Sequence, residues 1–458
     1  MMHITTYPRT MSNQPEPVNR YFSEQMSRDT RARAEAAEPP SSRFAGAPRK
    51  ILDRAGAAVD TEAGRLIALS HSLHANPETA FDERESARAI IRLLADSGVS
   101  AELGVHGLET AIRSEFVRPG TPEDAPAIAI LAEYDALPEI GHGCGHNVIA
   151  AAGVGAYLAV RSALAEGDPA EAPGRVVFLG TPAEEGNSGK EYMARAGAFD
   201  GIDAAVMVHP YGYDVAEQVW LGRRLMSVTF HGAAAHASAQ PFMGRNALDA
   251  ATLAYHAVGL LRQQMLPVDR VHAVISEGGT RPSIIPETAE MKLYARSKYP
   301  ETLKSLSDRL TKIAEGAAMM TGTGVDIEWD DKPASLPVRT NGALTGRWAV
   351  AQSARGRQSL PLGVVPETIA ASTDFGNISY RLPGIHPLIK IADAGTALHT
   401  REFAEAAAGT EADEAVRDGA YGLAAVVLDY LADGDLRDAV DQEFEDQGGA
   451  VDVPRFFD

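Results

Sequence analysis

The chain has 458 residues, of which 62 are Asp or Glu and 42 are Lys or Arg, so its formal net charge is −20. This acidic balance argues against a nucleic-acid-binding protein and against docking on an anionic membrane, because both need a basic surface. The longest nearly apolar stretch, Val148–Val160, is interrupted by glycines and is too short to span a bilayer. A single cysteine excludes an intramolecular disulfide, and no basic-then-apolar signal pattern opens the sequence, so we expect a cytoplasmic protein.

The N-terminal part of the sequence lacks a periodic apolar pattern. Residues 1–46 are rich in Pro, Ser, Arg and Glu, which predicts a disordered or extended tail. Ordered structure is expected to begin near Ile51, because Ala58–Leu73 carries the apolar spacing of an amphipathic helix. A second helix is predicted over Glu83–Ser97, ending before Gly98.

Short apolar runs then alternate with helical stretches. Strands are predicted at Ala127–Leu131, Val176–Gly180 and Ala204–Val208. Helices are predicted between them at Asn147–Ala163, which is apolar almost all round, and at Gly189–Ala196. Continuous apolar strands that alternate with helices predict a largely parallel α/β sheet covered on both faces.

The middle of the chain has a different order of elements: strand, helix, strand, strand, helix, strand. This is the ferredoxin-like arrangement. The six predicted elements are Leu225–Phe230, Asn246–Gln264, Val271–Ser276, Thr288–Arg296, Pro300–Met319 and Gly324–Trp329.

The α/β character resumes after this segment. Pro387–Ile391 is a predicted strand, and Phe403–Leu431 has helical periodicity with expected breaks at Gly409 and Gly419. The predicted fold class is therefore α/β. A mostly parallel catalytic domain, residues 47–222 and 336–458, is interrupted by a smaller ferredoxin-like α+β domain, residues 223–335.

Metal-capable side chains follow the carboxyl ends of several predicted strands, where ligands bind in open α/β sheets. Taken singly, each has an ordinary structural explanation, since a lone cysteine is usually a small buried hydrophobe and a loop carboxylate is usually solvated. Their recurrence at one sheet edge nevertheless predicts a metal site. The residues are Asp135, Cys144, His146, Glu184, Glu185, His209 and His399.

Two divalent metals that share a bridging ligand explain this set. Cys144 suits the bridge, because a metal deprotonates a coordinating thiol. His146, Glu185, His209 and His399 can complete the two ligand shells. The expected cofactors are two divalent ions, Zn or Mn first and Co or Ni as alternatives, because thiolate, imidazole and carboxylate accept all four.

Two carboxylates remain outside the ligand set. Glu184 is free to act as general base and to take a proton from a metal-bound water. Asp135 can hydrogen-bond a ligand histidine and fix its tautomer.

At these residues the sequence resembles the M20 metallopeptidase family, in the amidohydrolase branch with a cysteine ligand. The stretch Thr373–Asn377 is similar to the subgroup of p-aminobenzoyl-glutamate hydrolase subunits and Xaa-Arg or β-alanyl-lysine dipeptidases. The matching segments, in chain order over about residues 55–430, are His74–Glu78, Asp135–Pro138, Gly143–Asn147, Pro182–Gly186, Val208–Pro210, Phe230–Ser238, Ser372–Asn377 and Ala397–Thr400.

The resemblance implies the same five ligands, Glu184 as base, and a small domain that serves as a lid and dimerisation domain. It also implies that His236 reaches the active site of a partner in a homodimer, whereas the residue alone would be taken for a surface histidine. Asn246 and Arg281 are candidate substrate contacts, with a helix cap and a solvated loop as their ordinary explanations. Asp374 is a candidate for binding a substrate amine, or a turn residue.

One departure from the family pattern concerns the substrate contacts. In many relatives a Gly-Gly pair is followed by an Asn that precedes aliphatic residues and a proline. Here Ser283 occupies the position of that Asn. This puts a substrate contact in question, not the metal site.

The predicted function is a metal-dependent hydrolase of an amide bond in N-acyl amino acids, dipeptides or aminobenzoyl-glutamate-like small molecules. An alternative is a thiol amidase with Cys144 as nucleophile and His146 or His142 as base, although such an enzyme needs neither Glu184 nor His399. A third hypothesis is a silent partner subunit, against which the intact ligand set argues.

Overall fold

The structure, a computed structural model, describes residues 18–165 and 171–458. In chain order the helices are α1 (Tyr21–Ala36), α2 (Arg49–Ala75), α3 (Arg84–Asp96), α4 (His146–Ala165), α5 (Gly189–Arg195), α6 (Ala247–Leu261), α7 (Pro300–Thr321), α8 (Gly342–Ala354), α9 (Phe375–Ser379), α10 (Arg401–Ala406), α11 (Thr410–Ala432) and α12 (Gly434–Asp446). The strands are β1 (Glu102–Leu103), β2 (Ile112–Val117), β3 (Ala127–Ala132), β4 (Arg175–Gly180), β5 (Ala204–Val206), β6 (His209–Tyr211), β7 (Gly222–His231), β8 (Arg270–Glu277), β9 (Thr288–Ser297), β10 (Gly324–Trp329), β11 (Gly384–Ile385) and β12 (Leu388–Lys390).

The larger sheet has six strands in the order β1-β2-β4-β3-β5-β11. β4, β3, β5 and β11 are parallel, and β2 pairs antiparallel with β4 at the other side. Every residue of β3 is buried, as expected for a central strand covered on both faces. One face packs against α2, α4 and α11, and the other against α5 and α9. The predicted α/β fold class is confirmed, although the sequence did not predict β2.

The central helix α4 is nearly all buried, because small residues let its neighbours approach closely. A Cβ on Gly155 would lie 2.9 Å from the Cβ of Ala420 on α11 and 2.6 Å from a methyl of Leu66 on α2. α4 is long and apolar enough to cross a membrane, but 83% of its most apolar 18-residue stretch is buried within the protein, as in a core helix. The expected break at Gly419 is wrong: α11 runs through it, since Gly419 faces Ala152 of α4.

The smaller sheet has the strand order β10-β7-β9-β8, with all neighbours antiparallel. With α6 and α7 packed on one face, this is the ferredoxin-like arrangement that the sequence predicts. The sheet begins at Gly222 and ends at Trp329. β8 lies at an edge and exposes most of its residues.

The prediction of a disordered or extended tail over residues 1–46 is wrong for Tyr21–Ala36, whereas residues 37–46 carry no helix or strand and residues 1–17 lie outside the described part of the chain. Helix α1 covers Tyr21–Ala36, and Thr30 is buried. The segment that follows is anchored on the α/β domain, since the backbone N–H of Ala47 donates to Asp429 at 2.7 Å and Arg347 donates to the carbonyl of Phe44 at 2.8 Å. α1 is strongly polar, so its packing surface left no apolar pattern in the sequence.

Candidate metal centre

The fold brings the predicted metal-capable residues to one edge of the larger sheet. The loop after β3 leads to Asp135 and, through a glycine-rich turn, to Cys144 and His146 at the start of α4. The loop after β4 carries Glu184 and Glu185. Two further histidines lie on other segments: His209 is the first residue of β6, and His399 lies in the loop before α10.

Cys144 belongs to two different groups of candidate metal ligands. Its Sγ lies 3.6 Å from Nε2 of His209 and 3.4 Å from Nε2 of His399. The ligand atoms of Cys144, His146 and His209 lie within 4.8 Å of one another, and so do those of Cys144, Glu185 and His399. Two three-residue groups therefore share one thiol, which is the arrangement expected of a bridging ligand.

Asp135 holds two parts of this cluster in place. Its Oδ1 lies 3.0 Å from Nδ1 of His146, which leaves Nε2 of that ring directed at the cluster. Its Oδ2 accepts the backbone N–H of Glu185 at 2.8 Å. His209 is oriented in a similar way, since its Nδ1 lies 2.7 Å from the carbonyl oxygen of Pro210. These contacts fix which ring nitrogen each histidine presents.

Two residues in the loops that carry the candidate ligands have strained backbone conformations. Ala183, next to Glu184, has φ 59°, and His399 has φ 62°, values that non-glycine residues seldom adopt. The N–H of Ala183 donates to the buried carboxylate of Glu83 at 2.9 Å, and the N–H of His399 donates to the carbonyl of Gly143 at 2.9 Å. Burial and the nearby Asp135 carboxylate raise the pKa of Glu83 to about 7.

The electrostatics of the cluster fit a bound cation. Burial and the Glu133 and Glu185 carboxylates raise the pKa of Glu184 well above its usual range. Burial and Glu185 likewise raise the pKa of the Cys144 thiol. Burial and His146 lower the pKa of His209 to about 4, whereas Asp135 and Glu133 outweigh burial and raise the pKa of His146. An added divalent cation would offset the crowding of buried carboxylates.

Unpartnered polar atoms point to the same conclusion. Oε1 of Glu185 is buried without a hydrogen-bond partner, and Nε2 of His146 has only an ion-pair contact of 3.4 Å with Oε2 of Glu133. Buried polar groups are rarely left unsatisfied, and Glu185 and His146 both belong to the cluster. The donor set of thiol, imidazole and carboxylate suits Zn and similar divalent metals. The residues present therefore fit two such ions.

Asp374, a candidate substrate contact, lies beneath the cluster instead of lining its cavity. Its carboxylate accepts from Nζ of Lys190 at 2.6 Å and from the backbone N–H of the same residue at 2.9 Å. Lys190 also pairs with Glu133, and all three side chains are buried. Glu133 and Lys190 were missed by the sequence analysis, although Glu133 directly follows β3.

The other three predicted site residues lie on the small domain, away from the cluster. A small cavity opens at the cluster, and none of His236, Asn246 and Arg281 is among the described residues that line it. His236 is exposed on a loop that pairs with Ile284. Asn246 caps α6 by accepting the N–H of Leu248 at 3.0 Å, and Arg281 is exposed in a loop.

Comparison with known proteins identifies the family. Residues 129–428 match the sequence profile of peptidase family M20/M25/M40. The chain belongs to this family. It is 37% identical to the Xaa-Arg dipeptidase of Mus musculus, an alignment that covers 89% of this chain and 95% of the relative. It is 29% identical to one of the p-aminobenzoyl-glutamate hydrolase subunits of Escherichia coli K12, over 85% and 93% of the two chains.

A solved structure shares the M20 fold. A dinuclear metal-binding M20 peptidase of Bacillus subtilis superposes with a TM-score of 0.62 at 22% identity, covering 81% of this chain and 99% of that one. The predicted membership of the M20 family is thus confirmed, and the chain is an M20-type hydrolase.

A small cavity of about 100 Å³ opens at the cluster of this M20 chain, and we call it the central cavity. Arg223 on β7 and Arg296 on β9 are partners across two neighbouring strands, and both contribute to its wall. Neither arginine could be predicted from the sequence, because their pairing depends on strand register. The cavity is lined by Cys144, Glu184, Glu185, Gly186, His209, Trp220, Arg223, Arg296, Ser335, Ala371, Ser372, Thr373, Leu398 and His399.

Proposed function

We propose that this chain hydrolyses an amide bond in small molecules with a free carboxylate, such as N-acyl amino acids, dipeptides or aminobenzoyl-glutamate-like compounds, and that it uses two divalent metal ions. The observation that carries the proposal is the pair of ligand groups that share Cys144, with Glu184 as a carboxylate left over at the cavity wall. The relatives named as a dipeptidase and as a hydrolase of p-aminobenzoyl-glutamate act on substrates of this kind.

Each residue has a distinct role in this proposal. His146 and His209 would hold one ion, Glu185 and His399 the other, and Cys144 would bridge them. The ions, when bound, supply Lewis acidity that polarises a carbonyl and favours ionisation of water. Zn and Mn are the metals we expect first.

Proton transfer would fall to Glu184. Its carboxylate lines the cavity but belongs to neither group that shares Cys144. It would take the proton of the attacking water and pass it to the leaving amine. Asp135 would keep the His146 ring in one tautomer through the hydrogen bond described above.

The two arginines favour an anionic substrate group. Arg223 and Arg296 face each other in register, and like charges directly opposite on neighbouring strands are destabilising. Burial and Arg223 lower the pKa of Arg296, against the opposing effects of Tyr294 and Glu184. A substrate carboxylate between them would offset this repulsion, because guanidinium groups bind carboxylates in a planar, bidentate geometry.

A hydrolysis screen with metal added back tests the proposal. The stripped protein would receive Zn, Mn, Co or Ni and be assayed with N-acyl amino acids, dipeptides and p-aminobenzoyl-glutamate, each beside its carboxamide-capped analogue. We expect activity only with metal, and a KM at least about tenfold lower for the free carboxylate, the size of one charge-assisted contact. Equal rates on capped and free substrates would contradict the role of the arginines.

We also propose a homodimer in which His236 acts in the partner's active site. The exposed edge strand β8 and the exposed apolar residues Leu260 and Val274 support an interface on the small domain. Asn246 and Arg281 lie on loops close to His236 and would contact substrate in the same assembly.

Mixing two inactive variants tests this arrangement. Protomers with Glu184→Gln and with His236→Ala would be dissociated and reassociated together. If His236 acts in the partner's site, each mixed dimer contains one intact site and activity returns. If it acts within its own chain, the mixture stays inactive.

The proposed metal centre also bears on the cellular compartment of the protein. A bridging thiolate must stay reduced to bind metal, which favours the cytoplasm for this chain.

A further inference from the structure

A second cavity of about 510 Å³ lies beside the metal centre, and helix α1 forms one of its walls. We call it the α1 cavity. It shares four lining residues with the central cavity, so the two spaces adjoin at the cluster. The shared residues are Arg296, Ala371, Leu398 and His399.

One face of α1 is turned towards this space. Ser23, Met26, Ser27 and Thr30 all line it, and their spacing of three, four and seven residues places them along a single stripe of the helix. On this stripe Met26 is half-buried and Thr30 is buried, whereas Ala32 on the opposite stripe is exposed. A polar helix with only Thr30 buried has little tendency to pack by itself, so its position depends on the body of the protein.

Contacts at both ends of the lining stripe hold α1 in that position. Near its start, Oγ1 of Thr368 donates to the thioether of Met26 at 3.6 Å. At its end, Ala34 and Ala37 pack on a buried cluster that includes Val215 and Trp220. Trp220 also lines the central cavity, so the packing that positions α1 is continuous with the wall of the metal centre.

The chemistry of the lining indicates what the α1 cavity can receive. It presents hydroxyl groups, two tyrosines and small aliphatic groups, and its charged or chargeable members are Arg296 and His399. No carboxylate is among the described residues that line it. With Arg296 engaged by the substrate carboxylate, a cationic group in the α1 cavity would find no protein carboxylate to pair with, whereas an uncharged group would find apolar contacts and hydroxyl partners.

We propose that the α1 cavity is a substrate subsite for an uncharged aromatic or aliphatic acyl group, and that α1, as its outer wall, limits the size of that group. The inference rests on the proposed amide hydrolysis and specifies its substrate. With the carboxylate held between Arg223 and Arg296, the acyl group on the other side of the scissile bond extends past His399 into this space. Preference for a neutral acyl group distinguishes this chain from an enzyme whose subsite accepts a cation there.

The test compares three acyl groups on one amino acid: acetyl, benzoyl and 4-guanidinobenzoyl. The metal-loaded full chain is expected to prefer benzoyl over 4-guanidinobenzoyl by at least about tenfold in kcat/KM, because the cation is desolvated without a partner. Ser27→Trp, which fills the cavity from the α1 side, is expected to lower kcat/KM for benzoyl by about tenfold or more and for acetyl by less than about twofold. Ala32→Trp, on the opposite stripe, is the matched control and leaves both values unchanged.

The outcomes separate the two proposals. Ser23→Trp repeats the test from a second lining position, so that the inference stays falsifiable if one variant does not fold. Equal losses for acetyl and benzoyl, the same effect from Ala32→Trp, or a preference for the guanidino substrate would overturn the subsite. If the wild type with metal hydrolyses none of these amides, the proposed function itself fails.

Discussion

Two adjacent glutamates, Glu184 and Glu185, differ in what surrounds them. Oε1 of Glu185 lies 3.6 Å from Nε2 of His399, and this side chain shares a ligand group with Cys144. Glu184 groups with Glu133 and Asp374 on one side and with His146 and Glu185 on the other, but not with Cys144. Both glutamates thus adjoin a ligand histidine, while burial and the facing carboxylates of Glu133 and Asp374 raise the pKa of Glu184 and favour proton uptake.

Substitution of each glutamate separates these roles. Glu184→Gln is expected to lower kcat by about 10²–10⁴, the usual contribution of a general base, while metal content stays nearly constant. Glu185→Gln, its matched isosteric control, is expected to lower metal occupancy. Steady-state kinetics and metal analysis of both purified variants give the result. Exchanged phenotypes would reverse the assignment.

Cys144 distinguishes a bridging ligand from a nucleophile. A carboxylate can contact two metals but cannot reproduce a thiolate attack, so Cys144→Asp is expected to keep measurable metal-dependent activity, whereas Cys144→Ala loses metal and rate together. The measurements are kcat/KM and metal stoichiometry. A Cys144→Asp variant that binds two metals yet is inactive, together with an acyl adduct on the wild type seen by mass spectrometry, would favour a thiol amidase.

Lys190 provides the buried positive charge beneath the centre. Burial disfavours its charge, but Asp374 and Glu133 outweigh that effect and raise its pKa. Lys190→Met leaves two buried carboxylates without their partner and is expected to cost about 3–5 kcal/mol in the free energy of unfolding. Lys298→Met removes a more exposed ion pair with Glu367 and should cost less than about 1 kcal/mol. Urea denaturation of both variants checks the contrast, and similar midpoints would contradict it.

The residues that the sequence predicted and those it missed differ in how they reach the site. Cys144, Glu185 and His209 follow strand ends, and parallel strands deliver such residues to one edge whatever the details of packing. Arg223 and Arg296 meet only through the register of β7 with β9, which no local pattern encodes.

At the scale of elements, apolar periodicity predicted the buried elements well and the polar ones poorly. The bounds of β3, β4 and β9 agree with the sequence within a residue, because continuous or alternating apolar runs define them. α1 was missed because its packing surface is made of Ser, Thr, Met and Ala instead of an apolar stripe. The break expected at Gly419 was wrong because glycine there serves close helix packing, which local propensity does not reveal.

Close packing of α4 against α2 and α11 gives a prediction at this scale. Gly155→Ala introduces a methyl 2.9 Å from Ala420, and we expect it to destabilise the protein by about 1–3 kcal/mol, as overpacking of a dense core does. Gly64→Ala, on α2, has open space around the new Cβ and should stabilise by about 0.4–1 kcal/mol. Opposite shifts of the unfolding midpoint are expected, and a stabilised Gly155→Ala would show that the helices separate easily.

At the scale of the whole molecule, the two domains contribute different parts of the reaction. All five proposed ligands and Glu184 lie in the α/β domain, whereas Arg223 and Arg296 belong to the small domain's sheet. Arg223 also donates to Oγ of Ser188, in the loop that follows Glu184 and Glu185, at 3.2 Å. The domain arrangement therefore decides how far a bound carboxylate lies from the general base, and so which amide bond is presented for cleavage.

Removal of metal tests how far the centre and the fold depend on each other. The large apolar core around α4 contains none of the proposed ligands, so exhaustive chelation should abolish activity while far-ultraviolet circular dichroism stays native. Stability should still fall, because ions that bind only the folded state at a hundred times their dissociation constant contribute about 2.7 kcal/mol. The melting temperature is thus expected to drop on chelation and to recover with added Zn or Mn. Full activity at a metal content near zero would refute the metal-dependent mechanism, and loss of the native spectrum would show that the ions hold the fold as well as the chemistry.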